Sequence, residues 1–179
     1  LYGLSKSQFE QLRPYIRIAE ADKRKEYERA EWQSNYEHEP RPKTEKFAEG
    51  VTLPANTADT TALKHIPGIG SYYAHKIVDY RERLGGFVST SQIGEIEDLP
   101  AGITRWFVLD KADKPRQLRI NHATFKQLVR HPYLSYEQTK IIVTHIRQYG
   151  AIRSWRDLQL YKEFTQNDFK RLAPYISFK

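Results

Sequence analysis

The 179-residue chain contains no cysteine and no methionine. Without thiols there are no disulfides and no thiolate metal sites, and the absence favours no compartment. Long hydrophobic runs are also missing, since no window approaches the ~18 uninterrupted apolar residues that a membrane span needs. Strand-like alternation is nearly absent and shows only around residues 118–120. The residues form no nucleophile–base constellation, and His65, His75, His122, His131 and His145 are too dispersed for a ligand set. The chain therefore reads as non-enzymatic, with no catalytic residue and no metal site. Leu1 is not Met and no charged-then-apolar leader follows it, so the sequence reads as an internal or mature piece.

What the chain does have is positive charge, distributed unevenly. The formal charge is +7. Residues 121–179 hold 10 Lys and Arg against 4 Asp and Glu, while residues 19–50 hold 7 against 9. A basic balance of this kind suits a polyanion such as DNA, RNA or an acidic lipid surface. Candidates for a basic face are Arg130, Lys140, Arg147, Arg153, Arg156, Lys170 and Arg171, with a solvated surface as the plainer reading.

The chain also repeats itself. Shifted by 65 residues, "NTADTTALKHIPGIG" lies on "NHATFKQLVRHPYLS" without a gap. Asn56 meets Asn121, Ala58 meets Ala123, Leu63 meets Leu128 and Pro67 meets Pro132; further on, Ile77 meets Ile142 and Gly85 meets Gly150. A second echo joins "FEQLRPYIRI" at residue 9 to "FKRLAPYISF" at residue 169. The organisation expected is the C-terminal part of a truncated repeat over 1–18, a charged helix and linker over 19–50, and full repeats over 51–112 and 113–179. Trp32 and Tyr36 in the charged segment have no assigned partner.

Each full repeat reads as short helices. Asp59 can cap a helix over about 60–65. Tyr73, Ile77, Tyr80 and Leu84 then recur at helical spacing, and Gly85-Gly86 ends that helix. Ser89 with Gln92 has the form of a capping box and starts a third helix to about 96; a fourth is expected over about 100–108. Gly150 is the stop in the second repeat, and Ser154 with Asp157 marks the next start. His65 and His131 stand at near-equivalent positions and suit packing or capping. Tyr73, Trp106, Phe107 and Trp155 suit the core. The fold class is all-α.

Between the first two helices lies Pro67-Gly68-Ile69-Gly70. A tight turn needs glycine where φ is positive, and two glycines also leave the backbone bare. Successive amides of Gly68, Ile69 and Gly70, leading into a helix that starts at Ser71, form an anion-binding concavity strengthened by the helix dipole. Ile69 would plug the core, while Lys64 and Lys76 flank the turn. The DNA-binding candidates are thus Lys64, Gly68, Ile69, Gly70, Ser71 and Lys76, contacting phosphate and not base.

The stretch "NTADTTALKHIPGIGSYYAHKIVDYRERLGGFVSTSQI" resembles the tandem helix-hairpin-helix domains of ComEA-type DNA-uptake proteins. The likeness lies in the Asn-x-Ala start, the Pro-Gly-Ile-Gly hairpin, the Ala-x-x-Ile helix, "YRE", Gly-x-Phe and the following Ser-x-x-x-Ile. It implies tandem helix-hairpin-helix repeats, sequence-independent binding to double-stranded DNA and a role in competence. In some relatives it also implies a monovalent cation at the carbonyls of the 67–70 hairpin, with no other cofactor. By resemblance alone, the location would be extracytoplasmic, with a membrane tether upstream. Five hairpins fall near residues 2–5, 67–70, 97–100, 132–135 and 162–165, and only 67–70 keeps both glycines. Glu97-Asp98 would repel a phosphate, and Tyr133 covers the backbone of the fourth turn. A second reading therefore stays open: a degenerate repeat scaffold that binds a protein partner.

Overall fold

The computed structural model describes residues 5–16, 44–110 and 112–179. The chain divides into two units, Leu1–Lys43 and Thr44–Lys179. In the first, α1 (Lys6–Leu12) is followed by a 3-10 turn, Arg13–Tyr15. Ser5 caps α1 in a reciprocal box with Gln8, so two otherwise unpartnered groups are satisfied at once. The 2–5 hairpin, apart from Ser5, and the charged segment with Trp32 and Tyr36 lie outside the described residues.

The second unit holds both full repeats. The first runs β1 (Leu53–Pro54), α2 (Thr60–Leu63), α3 (Ser71–Leu84), 3-10 helices Thr90–Glu95 and Ile103–Trp106, and β2 (Phe107–Val108). The next runs β3 (Leu118–Arg119), α4 (Phe125–Arg130), α5 (Tyr136–Tyr149), α6 (Trp155–Leu158), α7 (Gln166–Leu172) and β4 (Ile176–Ser177). Each repeat is closed on itself by one parallel two-residue pairing, β1 with β2 and β3 with β4. These bridges leave the architecture helical, and β3 falls where the sequence showed its only alternation. No helix among the described residues is long and apolar enough to cross a membrane.

The asparagines that open the repeats explain why the 65-residue shift is visible. Asn56 accepts from the Phe87 amide at 2.7 Å and donates to the Phe87 carbonyl at 3.0 Å. Asn121 does the same with Ile152 at 2.8 and 2.9 Å. A side-chain amide that mimics a strand partner closes the loop after the long helix, at about 1 kcal/mol net per bond. The capping residues also stand where expected: Asp59 accepts from the Ala62 amide at 2.7 Å, and boxes form at Ser89/Gln92 and Ser154/Asp157. Gly85 ends α3 with φ 94, and its own carbonyl accepts from the Arg116 amide at 2.7 Å.

The apolar face of α3 is Ala74, Ile77 and Leu84, all buried, with Tyr73 and Tyr80 at its margin. Each fully buried Ile or Leu contributes about 1.5–3 kcal/mol. The later elements of the first repeat differ from expectation. The third helix is 3-10 and not α, and the fourth shrinks to Ile103–Trp106. Pro100 and Gly102, the latter at φ 73, delay its start, and Phe107-Val108 leaves it to pair with β1.

Between the repeats lies a polar seam. Gln92 donates to the hydroxyls of Tyr133 and Tyr175, each at 2.8 Å. Glu95 accepts from Tyr80, Tyr133 and Arg171, each at 2.9 Å. The Arg171 guanidinium also lies 3.9 Å from the centre of the Tyr133 ring. Burial raises the phenol pKa values against the Gln92 bonds, which lower them, with Glu95 adding to the rise; Tyr175 is pushed up to about 12.

Candidate nucleic-acid interface

The 67–70 hairpin begins where α2 ends at Leu63 and delivers the chain into α3. Ile69 is buried to 1% exposure and anchors the turn from below, while Pro67, Gly68, Gly70 and Ser71 are exposed. Gly68 has φ 83, so a side chain there would be strained, and its Cβ would sit 3.2 Å from Pro100 Cγ. Gly70 is extended, at φ −104, and a Cβ there would meet nothing within 4 Å. No side chain caps α3. The result is a bare turn feeding the positive end of a 14-residue helix.

Of the three amides expected to face an anion, one is already used. The Ile69 N–H donates to the Ile66 carbonyl at 3.1 Å, the bond that closes the turn. Ile69 therefore contributes shape and not a donor. The corresponding amides of Leu134 and Phe164 donate in the same way, to His131 at 3.0 Å and Tyr161 at 3.2 Å.

The flanking lysines separate as well. Lys64 is half-buried at the end of α2, and among the described residues no carboxylate pairs with it. Lys76, expected beside the 67–70 phosphate, instead reaches the next hairpin. Its ammonium donates to the Glu97 carbonyl at 2.8 Å and to Asp98 at 3.2 Å. The Asp98 carboxylate raises its pKa, in line with a committed ion pair. The physical reason is local. Asp98 takes up the left-handed conformation, φ 65, that Gly68 holds in the first turn, and so presents a carboxylate that needs a cation. Lys76 neutralises the second hairpin and is not a contact of the first.

The sequence reading missed Lys46. Its ammonium donates to the carbonyls of Lys64 at 2.6 Å, Ile69 at 2.9 Å and Ile66 at 3.3 Å. Around it, residues 44–47 lie along the turn. The Phe47 amide donates to the His65 carbonyl at 2.8 Å, and His65 Nδ1 donates to the Glu45 carbonyl at 2.6 Å. The two rings pack with centroids 5.1 Å apart. Residues 44–50 thus belong with the first repeat and not with a tether, and His65 has the packing role expected of it. The monovalent cation that the resemblance assigned to these carbonyls does not fit, because an ammonium of the chain itself already sits on them.

The other hairpins are closed in different ways. Ser135 caps α5 in a box with Gln138, and Thr165 caps α7 in a box with Asp168. His131, Tyr133 and Leu134 are buried in the seam. The turn at 162–165 has its Glu163 carbonyl bonded by Gln138 at 2.9 Å. Further from the hairpin, a groove of about 720 Å³ past the C-terminal end of α3 is lined by Arg83, Arg116, Arg119 and Arg130. It gathers one of the expected basic residues, Arg130, while Arg171 is drawn into the seam.

A helix, a turn and a second helix recur twice in each repeat, and in three of these turns, at Ile69, Leu134 and Phe164, one amide bonds back to the start. The helix-hairpin-helix motif matches residues 48–103 and again 114–177. The chain belongs to the helix-hairpin-helix family. No curated protein and no solved structure matches it. Helix-hairpin-helix motifs are generally associated with non-specific DNA binding, and that association extends to both matched segments. Within this family member, the first segment carries the open hairpin and the second carries only closed ones.

Proposed function

We propose that the chain binds double-stranded DNA without reading base sequence. A backbone phosphate would sit on the free amides of Gly68 and Gly70 and on the first turn of α3 at Ser71. One observation carries this reading. Of the three α-helices that follow a described hairpin, α5 and α7 close their first turn with their own side chains, and α3 does not. Unspent N–H groups at the positive end of a long helix attract an anion. Lys64 adds charge beside them, and Lys76 cancels the Asp98 carboxylate that would otherwise oppose it. Contacts of this type fix position on the duplex and carry no sequence information.

The finer reading places the protein with ComEA-type DNA-uptake proteins in competence, supported by the Asn-x-Ala start, the Pro-Gly-Ile-Gly turn and the Gly-x-Phe stop of the first repeat. We read it as a binding module and not an enzyme, since the hairpin offers backbone amides and lysines and no nucleophile with a base. A protein-interaction scaffold is the rival reading, and the buried 131–135 turn favours it for the second repeat. That surface is already consumed within the chain, which weakens the rival reading as an account of the whole.

The test is a titration of two unrelated duplexes at several salt concentrations, with wild type and a Gly68→Asp/Gly70→Asp variant. Wild type should bind both duplexes alike, with log affinity falling by about 0.9 per neutralised phosphate for each unit of log salt. The variant should lose most of the affinity and part of the slope while retaining its circular dichroism. Equal binding by the two proteins would sink the hairpin assignment.

A further inference from the structure

We infer that Lys46 is a positioning residue whose ammonium serves as the fixed cation of the 67–70 hairpin. Three carbonyls converge on it, from Lys64, Ile66 and Ile69, at 2.6, 3.3 and 2.9 Å. The first two lie just past the end of α2, where carbonyls lack helical partners and partial negative charge collects. Three carbonyl dipoles pointed at one spot repel each other unless a cation sits among them. The chain supplies the charge itself through a flexible four-carbon stem.

The placement has a consequence for the opposite face of the turn. Lys46 takes the carbonyls, and among the described residues no acceptor meets the Gly68 and Gly70 amides of the same short turn. The fixed charge also adds to the positive potential that a phosphate meets, and it cannot be diluted or exchanged. The strap that carries Lys46 is held on both sides, by Glu45 and Phe47 against His65. Among the described residues no side chain bonds the carbonyls of Val129, His131 or Leu134, the counterparts of those at 64, 66 and 69.

The experiment uses Lys46→Met, which keeps the stem and removes the charge. Thermal midpoints are measured without DNA in potassium, sodium and choline chloride at one ionic strength. Wild type should be indifferent to the cation. The variant should melt lower in choline and recover in potassium, because the freed carbonyls then take up the dissolved ion. A wild type that responds to potassium as the variant does, or a variant indifferent to every cation, overturns the inference. Duplex affinity is then read in the same salts. Because a hydrogen bond to a charged group is worth a little more than a neutral one, the variant should bind about tenfold more weakly in choline and regain most of this in potassium. This second arm rests on the DNA-binding reading. If wild type binds no duplex, that reading fails by itself, and the DNA-free melting still decides the role of Lys46.

Discussion

At position 68 a glycine with φ 83 faces solvent, and 65 residues later Tyr133 stands in its place, buried at 9% exposure. At position 70 another glycine leaves α3 uncapped, and its counterpart Ser135 closes α5 with a box. Below each turn a buried apolar residue, Ile69 or Leu134, does the same anchoring work. Two residue changes therefore separate a bare, open turn from a turn that glues repeats together. Tyr133 abandons the left-handed conformation and spends its side chain on Gln92, Glu95 and Arg171. The fold tolerates either outcome because the hydrophobic anchor, and not the turn backbone, holds the hairpin in place.

The comparison can be broken hardest one residue before the turn, where Ile66 faces His131. Both are buried, but the His131 ring cannot accept a proton cheaply. Burial drives its pKa down to about 4, only partly offset by the Leu84 backbone. Its Nδ1 accepts from the Tyr133 amide at 3.2 Å, so the proton sits on Nε2, which is buried with no well-formed hydrogen bond and only the Leu84 backbone beside it. A lowered histidine pKa means that the unfolded chain binds more protons between about pH 6.5 and 4, so stability must fall as pH falls through that window. The shift corresponds to about 3 kcal/mol, complete once pH drops below 4. Urea midpoints at pH 7 and pH 4 should diverge steeply for wild type. For His131→Ile they should diverge less by about that amount, and equal divergence would remove His131 from the account.

Next in size is Gly68→Ala. The left-handed conformation and the 3.2 Å approach to Pro100 Cγ make this residue costly to replace. Destabilisation of about 1–2 kcal/mol is expected. Gly70→Ala, with no steric neighbour, should cost far less. Chemical denaturation of the pair checks whether the two glycines have different reasons to be there. A smaller effect follows from Tyr133→Phe, which removes the hydroxyl from the seam. Glu95 keeps Tyr80 and Arg171, and Gln92 keeps Tyr175, so the loss should be about 1 kcal/mol. Duplex affinity should not change, which separates seam from cradle.

Much of this was legible beforehand where a single residue decides local geometry. Asp59, Ser89, Ser154, Gly85 and the paired Asn56 and Asn121 announce caps, stops and repeat phase through their own side chains. The fates of Lys46 and Lys76 were not legible. A lysine stem reaches several ångströms in any direction, and nothing local says which carbonyl or carboxylate it will meet. Lys46 meets its partners 18 to 23 positions away, and Lys76 its partners 21 and 22 away. The Ile69 amide was misassigned for another reason: a count of exposed glycines does not reveal which N–H the turn itself consumes.

The subtlest way to sharpen the contrast is Gly70→Ser, which gives the first hairpin the capping residue of the second. The site accepts it, since Gly70 is extended and a Cβ meets nothing within 4 Å. Serine at an N-cap stabilises a helix over glycine by only a few tenths of a kcal/mol, so the protein should melt at the same temperature or slightly higher. Its hydroxyl, however, would accept from the Tyr73 amide and shield the neighbouring N–H groups, as Ser135 does with Gln138 at 3.1 Å. Duplex affinity should then fall by about fivefold, near 1 kcal/mol, at constant salt. A substitution that stabilises the fold and weakens DNA binding would set caps and phosphates in direct competition for the same amides. Unchanged affinity in a protein shown by amide exchange to have formed the cap would instead move the phosphate contact off α3, to Lys64 and the Gly68 amide.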